Sequence, residues 1–231
     1  MRPFFPTLNA LGLMLGLFGA VMAFPLAVSW WLDDGATYAY DEAIAITLAA
    51  GFLLWAATRN GRRDLRTRDG FLLVAGTWVV TPVFAALPLL FYLPGLSFTD
   101  AYFEAASGLT TTGATVLTGL DTLPISINLW RTFMHWIGGM GVIVLMVAVL
   151  PLLGIGGRQL FKAEAPGPLK ETGLTPRIAE TAKGLWTVYL LLTVACGFSL
   201  WAAGMAPWEA LIHSFTITGL GGFSSKDASL G

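Results

Sequence analysis

The chain has 231 residues, 55% of them hydrophobic and only 12% charged, with a formal net charge of −1. That is about half the charged fraction of a soluble globular domain, too little to cover the apolar surface, so a water-soluble fold is excluded and a membrane is expected. The small net charge says little about partners; membrane lipid is expected to surround the chain, and no nucleic acid is expected.

Five stretches lack Asp, Glu, Lys and Arg over a length adequate or nearly adequate for a bilayer, which takes about 20 helical residues. They run from Pro3 to Leu32, Ala43 to Thr58, Phe71 to Thr99, Thr132 to Gly157 and Gly184 to Trp208. The second is short, but a helix of about 16 residues still crosses if the bilayer thins or Arg59 snorkels. The first is too long for a signal-peptide core and lacks a clear small-residue cleavage site. Gly12 and Gly16 within it form a GxxxG pair, a weak signal for helix contact. Cys196, the single cysteine, sits in an apolar stretch as a packing residue.

Basic residues cluster on one side. Arg59, Arg62, Arg63, Arg66 and Arg68 crowd the second connection, and Arg158, Lys162, Lys170, Arg177 and Lys183 the fourth. Cytoplasmic loops carry such excesses, which places the N-terminus in the cytoplasm. The opposite side receives Asp33, Asp34, Asp41, Glu42, Asp100, Glu104, Asp121, Glu209 and Asp227, a candidate acidic outer vestibule for cations.

Two segments read as dips into the membrane. Pro94 and Gly95 end the third stretch, and Ser97 to Asp100 offers capping residues before a short helical pattern reaching Leu109. A helix of about 10 residues is about 15 Å long, half the hydrocarbon thickness, so it descends without crossing. The chain then returns through Thr110-Thr111-Thr112-Gly113-Ala114-Thr115 toward Asp121. The same order begins again where Gly204 and Pro207 precede a pattern from Trp208 to Thr218, followed by Gly219-Leu220-Gly221-Gly222-Phe223-Ser224. Placing Gly113 on Gly222 gives an offset of 109 residues and a weak internal repeat. Placing Gly113 on Gly219 is the lesser alternative.

Irregular backbone at membrane depth must be buried in protein or line a wet cavity. Rings of backbone carbonyls can replace the hydration shell of a potassium ion, and glycine at positive φ lets successive carbonyls share a side. Gly113, Gly221 and Gly222 suit that role, and the hydroxyls of Thr111, Thr112 and Thr115 could brace the loop or coordinate ions. Each half-helix aims the negative end of its dipole at the turn. Glu104 and Glu209 could tune the outer field or anchor the half-helices by hydrogen bonds. His135 and His213 are expected as structural hydrogen-bonding residues, with no acidic partner by spacing. Arg131 either snorkels outward or pairs with a carboxylate such as Glu104. Gly154-Ile155-Gly156-Gly157-Arg158 reads as a helix-ending hinge rather than a phosphate loop. No nucleophile triad or metal-ligand cluster is present in the sequence pattern, so no enzyme activity and no organic cofactor are expected.

The run Phe103 to Thr115 resembles the first pore loop of the Trk/Ktr/HKT superfamily of potassium transport proteins. Arg131 to Gly141 resembles the helix after that loop, and His213-Ser214-Phe215 with Leu220 to Ser224 the second loop. The resemblance covers essentially the whole chain as the N-terminal half of such a protein, with two extra N-terminal spans. It implies an all-α integral membrane fold of span, pore-helix, span repeats with re-entrant filter loops. Two of four repeats are expected here, the second incomplete, so the chain alone is not expected to conduct.

Their layout is two N-terminal helices and a basic loop over residues 1–70, a first pore-loop repeat over 71–157, a cytoplasmic loop over 158–183 and an incomplete second repeat over 184–231. The resemblance implies that main-chain carbonyls of Thr111, Thr112 and Gly113, and of Leu220, Gly221 and Gly222, bind potassium as the substrate. It also implies a homodimer, a TrkA-like cytosolic nucleotide-binding regulatory subunit touching the basic loops, and a bacterial cytoplasmic membrane. Channel-like uptake leads; a proton- or sodium-coupled symporter and a non-conducting membrane fragment or scaffold are the alternatives.

Overall fold

The computed structural model describes residues 4–59, 67–149 and 174–229. Among the described residues all regular structure is helical. Helices α1 (Phe5–Val21) and α2 (Ala23–Leu32) together form a 28-residue apolar span with a break at Met22. Pro25 causes that break, because it has no amide hydrogen to offer the Val21 carbonyl one turn earlier. Helix α3 (Thr37–Thr58) has 22 residues, so the second span is longer than the expected Ala43 to Thr58. Asp41 and Glu42 stay exposed on it, which lets the helix start early without burying a charge.

Helices α4 (Thr67–Ala85) and α5 (Leu87–Tyr92) make the third span, bent where Pro88 withholds an amide hydrogen. The first short helix, α6, covers Phe98–Leu109, and α7 covers Ile125–Val149. The 25 residues of α7 reach about 37 Å, enough to cross. Helix α8 (Leu174–Ala202) extends back into the stretch expected as a cytoplasmic loop, and the second short helix, α9, covers Pro207–Thr218. Of the expected features, Arg62, Arg63, Arg66, Arg158, Lys162, Lys170 and the Gly154 to Gly157 hinge lie outside the described residues.

Among the described residues, four spans are both long and apolar enough to cross a membrane: Phe5–Leu32, Thr37–Thr58, Asp69–Tyr92 and Lys183–Ala202. Their outward faces expose Leu17, Trp30, Trp31, Leu53, Leu191 and Phe198, surface that hydrocarbon rather than water accommodates. The molecule is therefore a multi-pass membrane protein. Helix α7 runs through its middle, with α6 and α9 both packed on it, α4 behind α6 and α8 behind α9. The α1–α3 unit covers the flank: Tyr40 donates to the Ser126 carbonyl at 2.8 Å, and Asp34 accepts the Ser126 N–H at 2.9 Å, capping α7.

Gly12 does lie at a helix contact. A Cβ there would sit 2.8 Å from the Trp55 nitrogen, and one on Gly51 would sit 2.8 Å from the Gly12 carbonyl and 2.9 Å from the Gly16 nitrogen. With so little space, small residues allow α1 and α3 to approach backbone to backbone. Gly51→Leu is accordingly expected to lower the thermal unfolding temperature in detergent, at a cost of about 1–3 kcal/mol for overpacking. Gly16→Ala, whose own Cβ would meet nothing within 4 Å, leaves it unchanged.

Candidate functional site

Both short helices have 12 residues and reach about 18 Å, too short to cross about 30 Å of hydrocarbon. Ser97 caps α6 as its sequence suggested, accepting from the Asp100 N–H at 3.1 Å, while α9 starts on Pro207, whose missing amide hydrogen is not needed there. The offset of 109 residues that relates Gly113 to Gly222 relates both ends of the two helices, Phe98 to Pro207 and Leu109 to Thr218.

The turns repeat bond for bond at the same offset. Thr110, Thr111 and Thr112 donate their N–H groups to the carbonyls of Ala106, Gly108 and Ser107 at 2.9, 3.1 and 2.9 Å. Gly219, Leu220 and Gly221 donate to Phe215, Ile217 and Thr216 at 3.0, 3.1 and 2.9 Å. Thr111 and Leu220 both take φ of 56°, and Gly113 and Gly222 follow at 78° and 150°. This corrects the expectation for Gly221, which is not at positive φ; the left-handed residues are Thr111 and Leu220, and the glycines Gly113 and Gly222. The alternative of Gly113 on Gly219 finds no support, since Gly219 keeps φ of −74°.

A trans peptide places its N–H and C=O on opposite sides. With the Thr112 and Gly221 N–H groups held by the half-helix ends, the carbonyls of Thr111 and Leu220 point away from those ends. Among the described residues, no hydrogen bond is accepted by the carbonyls of Thr111, Thr112, Gly113, Leu220, Gly221 or Gly222. The two turns also touch: a Cβ on Gly113 would lie 3.0 Å from the Gly221 carbonyl oxygen and 3.2 Å from the Gly222 Cα.

Arg131 on α7 ties the turns together. It pairs with Glu104 of α6 through Nη2 at 2.7 Å and Nε at 2.8 Å, both side chains fully buried. Its Nη1 donates to the Ser224 carbonyl at 2.9 Å and to Asn128 Oδ1 at 3.2 Å, its Nη2 to Thr115 Oγ1 at 3.1 Å, and the guanidinium lies over the Phe223 ring. Glu104 accepts from Thr115 Oγ1 at 2.9 Å and from the Val116 N–H at 3.1 Å. Of the open alternatives, Arg131 pairs rather than snorkels, and Glu104 anchors rather than faces the outer field. Thr115 is a brace, and the Thr112 hydroxyl bonds to Thr110 at 2.8 Å.

Residue 213 is the counterpart of 104, and its environment matches. His213 Nε2 meets Ser224 Oγ, the counterpart of Thr115, at 3.3 Å. His213 also has an acidic neighbour, contrary to expectation: Glu209, one helical turn earlier, lies 3.6 Å from Nδ1. Further out, Asp227 accepts the N–H groups of Gly119 at 2.9 Å and Leu120 at 3.1 Å, latching the second loop to the first. The sequence reading missed Asp34, Asn128, Thr216 and Asp227 as parts of this assembly; extending the 109-residue offset from Ser107 would have pointed to Thr216.

Two short half-helices, each followed by a matched turn and both braced on one long helix, have the layout of pore-loop membrane proteins. Residues 38–231 match the TrkH family model, described as a cation transport protein, and the chain belongs to that family, one of transporters and not of enzymes. It is 49% identical over 225 residues to the Trk system potassium uptake protein TrkH of Vibrio parahaemolyticus, which covers 97% of this chain and 46% of that protein. It is 51% identical over 221 residues to the protein of the same name from Escherichia coli, covering 95% and 46%. The crystal structure of the potassium transporter TrkH from Vibrio parahaemolyticus superposes with a TM-score of 0.84 at 44% identity, over 100% of this chain and 46% of that one. The chain thus spans about half the length of the curated relatives it matches.

Removing Arg131 strands a buried carboxylate. Arg131→Met is expected to destabilise the fold by about 3–5 kcal/mol, and the double variant Glu104→Leu/Arg131→Met by less than the single change. Unfolding in detergent, followed by fluorescence, measures both.

Proposed function

We propose that this chain supplies two adjacent segments of a potassium-selective filter, and that the assembly containing it takes up potassium across a bacterial cytoplasmic membrane. The observation that carries this reading is the pair of matched turns, whose six carbonyls, from Thr111 to Gly113 and from Leu220 to Gly222, accept no hydrogen bond among the described residues. Neutral carbonyl oxygens exchange well with a hydration shell and do not trap the ion as fixed charges would. The C-terminal ends of α6 and α9 both face these turns and favour a cation there. Potassium is the substrate, by analogy with the relatives' printed names.

The N-terminus is read as cytoplasmic from the basic connections. A homodimer and a TrkA-like nucleotide-binding subunit on the cytosolic side complete the proposed assembly, and its transport is read as channel-like.

The test reconstitutes the longest reading frame that contains this chain into liposomes with its regulatory subunit and nucleotide. Rubidium or potassium flux is expected, and its absence overturns the reading. Flux at fixed voltage is expected to persist when an uncoupler removes the proton gradient; loss of flux would favour coupled symport. Gly113→Ser is expected to raise sodium flux relative to potassium, because φ of 78° strains any side chain and a Cβ there presses on the Gly221 carbonyl. An unchanged ratio would exclude the first turn from the filter.

A further inference from the structure

His135 lies on α7, one turn past Arg131, and is fully buried. Its Nδ1 is 2.9 Å from Thr216 Oγ1, and its Nε2 has no hydrogen-bond partner. Thr216 Oγ1 also accepts the Gly222 N–H at 3.0 Å. If Nδ1 carried the proton, the Thr216 hydroxyl proton and the Nε2 lone pair would both go unpaired; with the proton on Nε2, only that one group is unpaired. Thr216 therefore donates to Nδ1 while accepting from Gly222.

The consequence falls on one peptide plane. Holding the Gly222 N–H toward α9 forces the Gly221 carbonyl to the other side, away from α9 and toward Gly113 of the first turn. The imidazole also occupies the space behind the turn. It stacks on Phe223 with ring centroids 4.2 Å apart, and a Cβ on Gly221 would overlap its ring atoms. A Cβ on Gly219 would come within 2.6 Å of the His135 carbonyl. Gly221 is thus a glycine because the imidazole is there, and Gly219 because the α7 backbone is.

The first turn lacks this device. Ser107 stands at the position of Thr216, buried, with its hydroxyl unpartnered among the described residues. Gly113 N–H makes no bond to it, and Thr110 and Thr112 occupy the positions of Gly219 and Gly221.

We infer that His135, acting through Thr216, is a positioning residue that fixes the Gly221–Gly222 peptide and so sets the ion preference of the second turn. The inference rests on the filter reading above. In the full assembly in liposomes, His135→Leu and Thr216→Val are expected to shift the potassium-to-sodium flux ratio toward sodium by about threefold to tenfold, the equivalent of one lost hydrogen bond. His135→Asn, whose side-chain oxygen replaces Nδ1 as the acceptor, and Thr216→Ser are expected to restore the ratio. A merely structural role would lower the amount of folded protein, and all fluxes together, without moving the ratio.

Gly222→Ser serves as the reference. If it leaves the ratio unchanged, the filter reading of this turn fails; if it shifts the ratio while His135→Leu and Thr216→Val do not, only the present inference fails. Should His135→Leu not accumulate, Thr216→Val carries the test, since it exchanges a hydroxyl for a methyl of similar size. Failure of Thr216→Val to accumulate where Thr216→Ser does would mark the hydroxyl as structural and overturn the inference.

Discussion

A guanidinium buried in the middle of a membrane protein is tolerated only if its charge and its five donors find partners nearby, and this condition organises everything around Arg131. Glu104 neutralises it, and Thr115, Asn128 and the Ser224 carbonyl take further donors. Those partners come from α6, from α7 and from the extended segment after each turn. None can move without leaving charge or donor unpaired, so two loops that share no regular structure are held in one geometry. The N-terminal hairpin joins the same assembly, because Asp34 and Tyr40 fix Ser126 at the start of the helix that carries Arg131.

The repeat is stricter in backbone than in side chain. Hydrogen bonds, helix ends and left-handed residues recur at 109 residues, while Glu104 is answered by His213, Thr115 by Ser224 and Ser107 by Thr216. What recurs is the role: position 104 or 213 on the half-helix reaches the hydroxyl just beyond the turn. Carbonyl chemistry asks only that the backbone be shaped alike, which is why Leu220, with its side chain almost fully exposed, can stand where Thr111 stands.

Much of this was legible in the sequence because it depends on length and periodicity. The charge-free stretches located the spans, and the helix breakers Pro94, Gly95, Gly204 and Pro207 located the half-helices close to their observed starts. The 109-residue offset came from laying Gly113-Ala114-Thr115 on Gly222-Phe223-Ser224, with the half-helices before them in register. What was not legible depends on contacts between distant residues. A short second span was expected because Asp41 and Glu42 were read as the end of the apolar run, whereas a helix can carry exposed charge beyond the hydrocarbon. Gly221 was assigned a conformational role because a sequence shows a glycine without showing what presses on it. Asp34 looked like one of several outer carboxylates, and only its approach to Ser126 across 92 residues reveals a helix cap.

The glycines of α7 extend that lesson to the position of the turns themselves. Gly138 and Gly139 are adjacent, and each receives the end of a different half-helix. A Cβ on Gly138 would overlap the Leu109 carbonyl at the end of α6, and one on Gly139 would lie 3.0 Å from the Gly219 Cα at the end of α9. A side chain at either place would push one turn outward relative to the other by a fraction of the contact distance. In the proposed filter, carbonyls that surround one ion must agree to within such a fraction, so the spacing between the turns is set less by the loops than by the helix on which both rest. Arg131, His135 and this glycine pair succeed one another along α7 at about one-turn intervals, holding in order the exits of the two loops, the peptide of the second turn and the ends of both half-helices.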